Sequence, residues 1–310
     1  MTRRVALLFA LLFLISCGGN PPALAPTSPS ATAKATAGAF PASVTDFQNR
    51  SVSISKRPER IVSIGPSNTE FLFALGAGDR VVGTDDFSDE PAAAKSKEHV
   101  GGVKVSLEKV VSLKPDLIIT VKFSDGTIEA LSQTSAAVLV VDPQNVADVA
   151  RTATMIGQAI GANGAKLASD IQIQLDAVKA KTATASKLKV FHEIDASDLT
   201  KMYTVGPGSF IDDLIKLAGG TNVAAAAKTQ YPTISAEEVV RADPEIIVLA
   251  DAAYGTTLDQ VIARPGWSAL AAVKNKRVYP VSGNLYGRPG PRLGTAAEEY
   301  AKLVHPELFK

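Results

Sequence analysis

The side chains that could do chemistry are few and scattered. The densest acidic stretch is Asp85-Asp86-Phe87-Ser88-Asp89-Glu90-Pro91, and four carboxylates in six residues raise the question of a hard cation. Calcium loops space their ligands at set intervals around a glycine turn, and this stretch has no such glycine. It reads instead as a solvated loop in which Asp85 or Asp86 accepts hydrogen bonds from amide groups. The histidines, His99, His192 and His305, stand far apart, and no two have the spacing of a metal pair. A hydrolase would need a nucleophile with a positioned base, or a metal. Yet Gly-x-Ser-x-Gly, His-Glu-x-x-His and a free cysteine nucleophile are missing, as are the glycine-rich loops that cradle phosphate.

Whatever these groups do, secondary-structure elements must hold them, and the elements repeat. SLEKVVSLKPDLIIT (Ser106 to Thr120) and SAEEVVRADPEIIVL (Ser235 to Leu249) match step for step. Each opens on a serine able to cap a helix, and Leu107, Val110 and Val111 answer to Ala236, Val239 and Val240 at helical spacing. Each then breaks at Pro115 or Pro244, takes Asp116 or Glu245, and enters an apolar run without alternation, which predicts a strand covered on both faces, as in parallel sheets. Gly65-Pro66-Ser67, opening a helix through Phe71, Leu72 and Leu75, has its counterpart in Gly206-Pro207-Gly208-Ser209 leading through Phe210, Leu214 and Leu217. The pattern predicts two related α/β lobes with parallel sheets. Such sheets hold ligands beyond the carboxyl ends of their strands, so facing lobes make a cleft. Between them, residues 145 to 160 read as helical, and Leu167, Ile171, Leu175 and Val178 mark a second amphipathic helix. Gly157, Gly161 and Gly164 argue against one continuous helix. About 20 helical residues span roughly 30 Å, which makes a stiff strut and predicts that the cleft closes only slightly.

The chain has 310 residues, a formal net charge of +1 and 46% hydrophobic content, an ordinary globular profile with room for two domains. Nothing in it calls for nucleic acid. Arg3 and Arg4 precede an apolar run, Val5 to Ile15, too short to span a bilayer, which reads as a secretory signal peptide. Cys17, the single cysteine, follows Leu14-Ile15-Ser16 in a pattern that resembles the bacterial lipoprotein box, where the cysteine is lipidated; the alternative is an apolar cysteine within a signal core. The Pro-, Ala-, Ser- and Thr-rich residues that follow suit a tether holding a domain roughly 25 to 30 Å from its anchor. The expected organisation is a signal peptide and lipobox at 1–17, a flexible tether at 18–43, an N-terminal lobe at 44–160, a linking helix at 161–184 and a C-terminal lobe at 185–310.

Arg60-Ile-Val-Ser-Ile-Gly-Pro-Ser-Asn-Thr-Glu70, Leu75-Gly76, Val81-Val82-Gly83, Ser88-Asp89, and Ser106-Leu-Glu-Lys through Lys114-Pro-Asp-Leu117 follow a family's motif order. Over about residues 57 to 308 the chain resembles the substrate-binding proteins of ABC importers for cobalamin (vitamin B12) and ferric siderophores, the class III periplasmic binding proteins. The resemblance implies two Rossmann-like lobes bridged by one long helix, a ligand cleft between them, and neither catalysis nor a cofactor. It further implies a monomer, anchored through lipid alone, that delivers a metal-chelate cargo to a permease dimer with its ATPase subunits. One glutamate on each lobe would engage permease arginines, Glu70 on the first and Glu237 on the second. Local alternatives stand beside both: Glu70 has capping-box spacing with Ser67, Glu238 has it with Ser235, and Glu237 is a first-turn carboxylate.

Cobalamin-binding relatives line the cleft with aromatic rings, which suit the faces of a large amphipathic corrin. Phe87 and Tyr231 match two such positions, while Val103 and Val121 stand at two others where tryptophan is usual. Cobalamin leads, with other corrinoids, ferric siderophores and haem as alternatives. Asp86 would face ligand amides, and Phe123, Tyr254, Tyr286 and Arg288 join the cleft from loops after strands. Arg288 has the alternative of a solvated loop arginine, and Arg292, after Pro291, reads as a helix start. Haem would require an axial ligand, for which Tyr231 or Tyr286 is placed. Trp267 reads as a packing residue. A dry, side-chain-filled groove between the lobes would favour a structural lipoprotein instead.

Overall fold

The computed structural model describes residues 39–310. Cys17 and the signal segment lie outside the described residues. A hairpin of β1 (Ala42–Thr45) and β2 (Ser51–Ile54) comes first, with Ala42 and Ser43 paired to Ile54 and Ser53. The first described strand therefore starts inside the stretch read as tether, and the buried Val44 holds it down.

The first lobe contains β3 (Ile61–Ile64), α1 (Pro66–Ala74), β4 (Val81–Thr84), β5 (Glu98–His99), α2 (Leu107–Ser112), β6 (Leu117–Thr120), α3 (Thr127–Ser132) and β7 (Ala137–Val140). Its five strands are all parallel, in the order β5-β4-β3-β6-β7. Every residue of β3 and β6 is buried, the outcome expected of apolar runs covered on both faces.

Two helices follow, α4 (Val146–Ile160) and α5 (Gly164–Thr182). Gly161, with φ of 72°, ends the first, and Asn163 caps the second by accepting from the Lys166 N–H at 3.1 Å. The helices pack so closely that a Cβ at Gly164 would strike the Ala153 carbonyl. The 19 residues of α5 run about 28 Å at the usual rise.

The second lobe contains β8 (Leu188–Asp195), β9 (Met202–Thr204), α6 (Phe210–Leu217), β10 (Gly220–Asn222), β11 (Thr233–Ile234), α7 (Ala236–Ala242), β12 (Ile246–Leu249), α8 (Leu258–Ile262), α9 (Ala271–Lys274), β13 (Val278–Pro280), α10 (Gly283–Tyr286) and α11 (Leu293–Val304). Its sheet is mixed, which corrects the expectation of two parallel sheets. β10, β12 and β13 run parallel in the usual way, but β9 returns antiparallel to β8, and β11 antiparallel to β9. The cause is the connection: a short loop after Asp195 can join only antiparallel neighbours, since a parallel return needs a crossover of a dozen residues or more.

The repeated segments perform the same local work. Ser106 and Ser235 both cap their helices, the second as a full capping box with Glu238. The acidic residue after each proline clamps the start of the neighbouring strand: Asp116 accepts from the Glu59 and Arg60 N–H groups at 2.9 and 3.0 Å, and Glu245 from Lys189 N–H at 2.9 Å. The Ser67–Glu70 capping box does not form. Pro66 takes the first helical turn and Gly65 the cap, so Ser67 already lies inside α1.

The connector between the lobes is more than a lone spar. One hydrophobic cluster runs from Ile61, Phe71 and Leu117 of the first lobe through Ile156, Ile171 and Leu175 of α4 and α5 to Leu214, Val248 and Tyr300 of the second. Arg80 of the first lobe donates to the last carbonyl of α4, Ile160, at 3.2 Å, and Thr182 at the end of α5 donates to Leu217 of the second lobe at 2.7 Å.

Candidate functional site

The first lobe's wall is built where β3 passes into α1. Gly65 adopts φ of 112°, and a Cβ there would press within 2.5 Å of the Val121 side chain, so only glycine fits the turn. Its N–H donates to Asp85 Oδ2 at 2.7 Å, and Ser88 Oγ donates to the same oxygen at 2.7 Å. Ser88, Thr69 and Ser63 continue as a hydroxyl chain at 2.8 Å a step, while Asp85 Oδ1 accepts from Phe87 N–H at 2.9 Å. Asp85 is therefore buried and occupied in shaping the loop, which corrects its candidacy as a ligand acceptor. Asp86 and Phe87 project from that loop, both about half exposed.

Opposite stand Ile194 and Asp195 at the end of β8, Tyr203 of β9, Phe210 and Ile211 in the first turn of α6, Tyr231, and Tyr254 in the turn after β12. Together with the first lobe they enclose a cleft of about 800 Å³ at the carboxyl edges of the strands. The groove is open, not filled by side chains.

Of the residues expected there, Asp86, Phe87, Tyr231, Tyr254 and Arg288 line the cleft. Phe123 does not; it packs against the first lobe's cluster around Ile118 and Leu131. Tyr286 faces inward as well, edge-on to Tyr300 with ring centroids 5.6 Å apart, and burial pushes its hydroxyl up to about 12, helped by the charge of Glu299. It is a core residue and offers the cleft no axial ligand. Val103 is exposed, and neither it nor Val121 lines the cleft. Trp267 is fully buried against Phe191, with the Arg264 guanidinium over its ring.

The two glutamates separate sharply. Glu237 is exposed in the first turn of α7, beside a shallow groove that includes Leu199, Val240 and Pro265. Glu70 is 4% exposed and bound by two arginines of the second lobe: Arg292 donates to it at 2.7 and 2.8 Å, and Arg288 at 3.3 Å. A carboxylate so enclosed is not presented to a partner, which corrects the docking role expected of Glu70. Arg288 is likewise neither a solvated loop arginine nor free for a ligand, since it also pairs with Asp89 at 2.7 Å.

These pairings set the charge of the cleft. Burial alone would raise the Asp89 carboxyl, but the hydrogen bond and charge of Arg288 hold it below its ordinary range. Asp195 is held low by the Ser197 backbone N–H, which donates to it at 2.8 Å. Among the described residues, the charged side chains lining the cleft are thus three carboxylates, Asp86, Asp89 and Asp195, against one guanidinium that is already paired. Among the described residues no group of three or more His, Cys, Asp or Glu side chains is arranged to hold a metal ion.

The model of the periplasmic binding protein family matches residues 61–284, most of both lobes. The chain belongs to that family. As a periplasmic binding protein it is 36% identical to the uncharacterized ABC transporter substrate-binding lipoprotein YvrC of Bacillus subtilis, covering 98% of this chain and 97% of that one. It is 30% identical to the vitamin B12-binding protein of Vibrio vulnificus, over 80% and 91% of the two chains. Among solved structures it resembles the periplasmic vitamin B12 binding protein BtuF of Vibrio cholerae, with a TM-score of 0.69, 26% identity, and coverage of 82% of this chain and 98% of that one.

Several lining residues of this binding protein escaped the sequence reading. Phe210 and Ile211 could have been found, because the repeat pairs the turn before α6 with the turn before α1, and both open onto the cleft. Tyr203 gave no signal, since it sits on the antiparallel strand that was not foreseen. His192 lies on the floor, its Nδ1 3.1 Å from Tyr300 Oη and its ring stacked on Tyr300.

Burial lowers His192 to about 4, so the folded state holds it neutral where an unfolded chain would be protonated. No effect on stability is expected above about pH 6.5. Between there and about pH 4 the unfolded state gains the proton first, and stability should fall by up to about 3 kcal/mol from this group. Urea denaturation at stepped pH checks this; His192→Gln should flatten that part of the profile, and an unchanged slope would refute it.

Proposed function

We propose that this substrate-binding protein captures cobalamin or a related corrinoid and hands it to an ABC importer. The observation that carries this reading is the pairing of aromatic walls with an acidic cleft whose one arginine is already engaged. Phe87 faces Tyr203, Tyr231 and Tyr254, flat apolar surface of the kind that a large amphipathic macrocycle buries well. A corrin carries amide arms, which donate to carboxylates such as Asp86 and Asp195. Haem presents propionates and ferric siderophores are commonly anionic, and either would bring negative charge against three carboxylates without a free cation to meet it. The 30% identity to a vitamin B12-binding protein supports the same choice. An open cleft in a family of binding proteins supports capture as the role of this chain.

The repeat supports a new pair for permease docking. Glu108 in Ser106-Leu107-Glu108 corresponds to Glu237 in Ser235-Ala236-Glu237, and both are exposed first-turn residues of equivalent helices. Each helix leads back into a parallel strand, so its N-terminus lies at the cleft edge of its lobe. Exposed apolar side chains flank the first, Leu107 and Val111, as the shallow groove flanks the second. The first docking carboxylate is therefore Glu108 in place of Glu70. We also read Cys17 as lipidated and the following residues as a tether, supported by the lipobox-like run and by the likeness to a lipoprotein over almost the whole chain.

Titration of the purified protein with cyanocobalamin, followed by visible absorption, should show one ligand per chain. Phe87→Ala and Tyr231→Ala should each weaken it about tenfold, or about 1.4 kcal/mol; tighter retention of haem or of a ferric siderophore would displace the corrinoid reading. Glu108→Lys and Glu237→Lys should leave that affinity within about twofold while abolishing uptake in cells, and normal uptake by either would count against docking there. Cys17→Ser should move the protein from the membrane fraction to the soluble extracytoplasmic fraction, and continued membrane retention would argue against the anchor.

A further inference from the structure

Charges from the two lobes converge at one edge of the cleft. Arg292 binds Glu70 through Nε and Nη2, at 2.8 and 2.7 Å. Arg288 Nη1 reaches Glu70 Oε1 at 3.3 Å and forms an ion pair with Asp89 Oδ1 at 2.7 Å, while its Nη2 donates to the Phe87 carbonyl at 3.1 Å. Asn284 donates to Asp89 Oδ2 at 2.8 Å. Two guanidinium groups from the second lobe thus meet two carboxylates from the first, and the charges balance.

We propose that Glu70, Asp89, Arg288 and Arg292 form an inter-lobe clasp that fixes the width of the cleft and holds the Phe87 loop in place before cargo arrives. Arg288 is then a positioning residue: its side chain is 12% exposed, and its Nη2 hydrogen bond goes to the loop that carries Phe87. Burial makes the device effective. Exposed ion pairs contribute little and are screened by salt, whereas separating an enclosed pair leaves an uncompensated charge out of water. The α4–α5 pair already joins the lobes through packed side chains. A second attachment at the cleft edge opposes rotation about the first, so the ligand-free site is pre-organised and little ordering remains to be done on binding. The inference concerns how the cleft is held, and it stands whatever cargo fills it.

Hydrogen exchange read by mass spectrometry on the full chain in detergent, without ligand, tests it. Arg288→Met and Glu70→Gln should each accelerate exchange at least tenfold in residues 84–90 and 283–292, leaving β6 and β12 at the native rate. The double variant should exchange no faster than either single one, because the clasp acts as a unit. In the same variants cyanocobalamin should dissociate about tenfold faster. Unchanged local exchange, or an even acceleration across both lobes, would overturn the clasp in favour of a general stabilising role. Should Arg288→Met fail to fold, Arg288→Lys, which keeps the charge but loses the fork, should show the same local acceleration to a lesser degree, and native exchange in it would again overturn the proposal. Failure of the wild type to bind cyanocobalamin would defeat the corrinoid reading alone, since the exchange comparison needs no ligand.

Discussion

A single hydrophobic cluster runs through both lobes, and the site depends on it. The lobes do not merely flank a connector. Side chains of α4 and α5 interlock with α1 and β6 on one side and with α6 and α11 on the other. Close packing transmits position, because a core at crystalline density has few ways to deform. The carboxyl edges of two separate sheets can therefore face each other across a fixed gap even though, among the described residues, no strand crosses between them. The glycine contact between α4 and α5 shows how tight that constraint is, since one added methyl group would meet a backbone carbonyl.

Electrostatics then divides the site into a part that holds and a part that receives. Buried carboxylates do the holding: Asp85 organises the Phe87 loop by accepting three hydrogen bonds, and Glu193 sits behind the floor with the Arg264 guanidinium, its carboxyl still raised by burial against that cation. Exposed ones stay accessible: Asp195 lines the cleft, and so does Asp86, which meets the half-exposed His99 ring at 3.3 Å. Neighbouring aspartates in sequence, Asp85 and Asp86, fall on opposite sides of this division. What separates them is only the direction in which the backbone turns after β4.

That example marks the limit of what the sequence made legible. Elements that depend on neighbours in the chain were readable: the buried strands from their unbroken apolar runs, the break between α4 and α5 from glycine, and the helix starts from serine before apolar spacing. The site was readable at Tyr254, on a loop after a strand, and at Phe87 and Tyr231 through the family resemblance. It failed wherever a distant partner decides the outcome. The family resemblance places Glu70 outward, and its local signal, capping-box spacing with Ser67, cannot object, being the same whether the carboxylate meets solvent or two arginines more than 200 positions away. Tyr286 and Phe123 failed similarly, because an aromatic ring on a loop after a strand turns toward the cleft or toward the core according to what fills the space beneath. The antiparallel return of β9 was hidden by its brevity, three residues being too few to show a period.

The two lobes also show which positions a duplicated plan keeps alike and which it lets diverge. Ser67 and Ser209 are each followed three residues later by a carboxylate near the start of a helix, Glu70 and Asp212. Asp212 remains within its own lobe, accepting from Asn222 at 2.9 Å and pairing with Lys216, whereas Glu70 reaches across to the other. The longer side chain and the arginines beyond β13 turn a local contact into a link between halves. Glu108 and Glu237, by contrast, keep the same residue type, helix position and exposure. The divergence falls where the halves meet each other at the cleft edge, and the likeness persists at exposed helix starts. A permease built from two equal subunits would offer the same chemistry twice, and matched carboxylates on equivalent helices are the simplest answer to it. On the docking proposed above, the internal symmetry of the chain would survive where its partner is symmetric and be lost where its cargo is not.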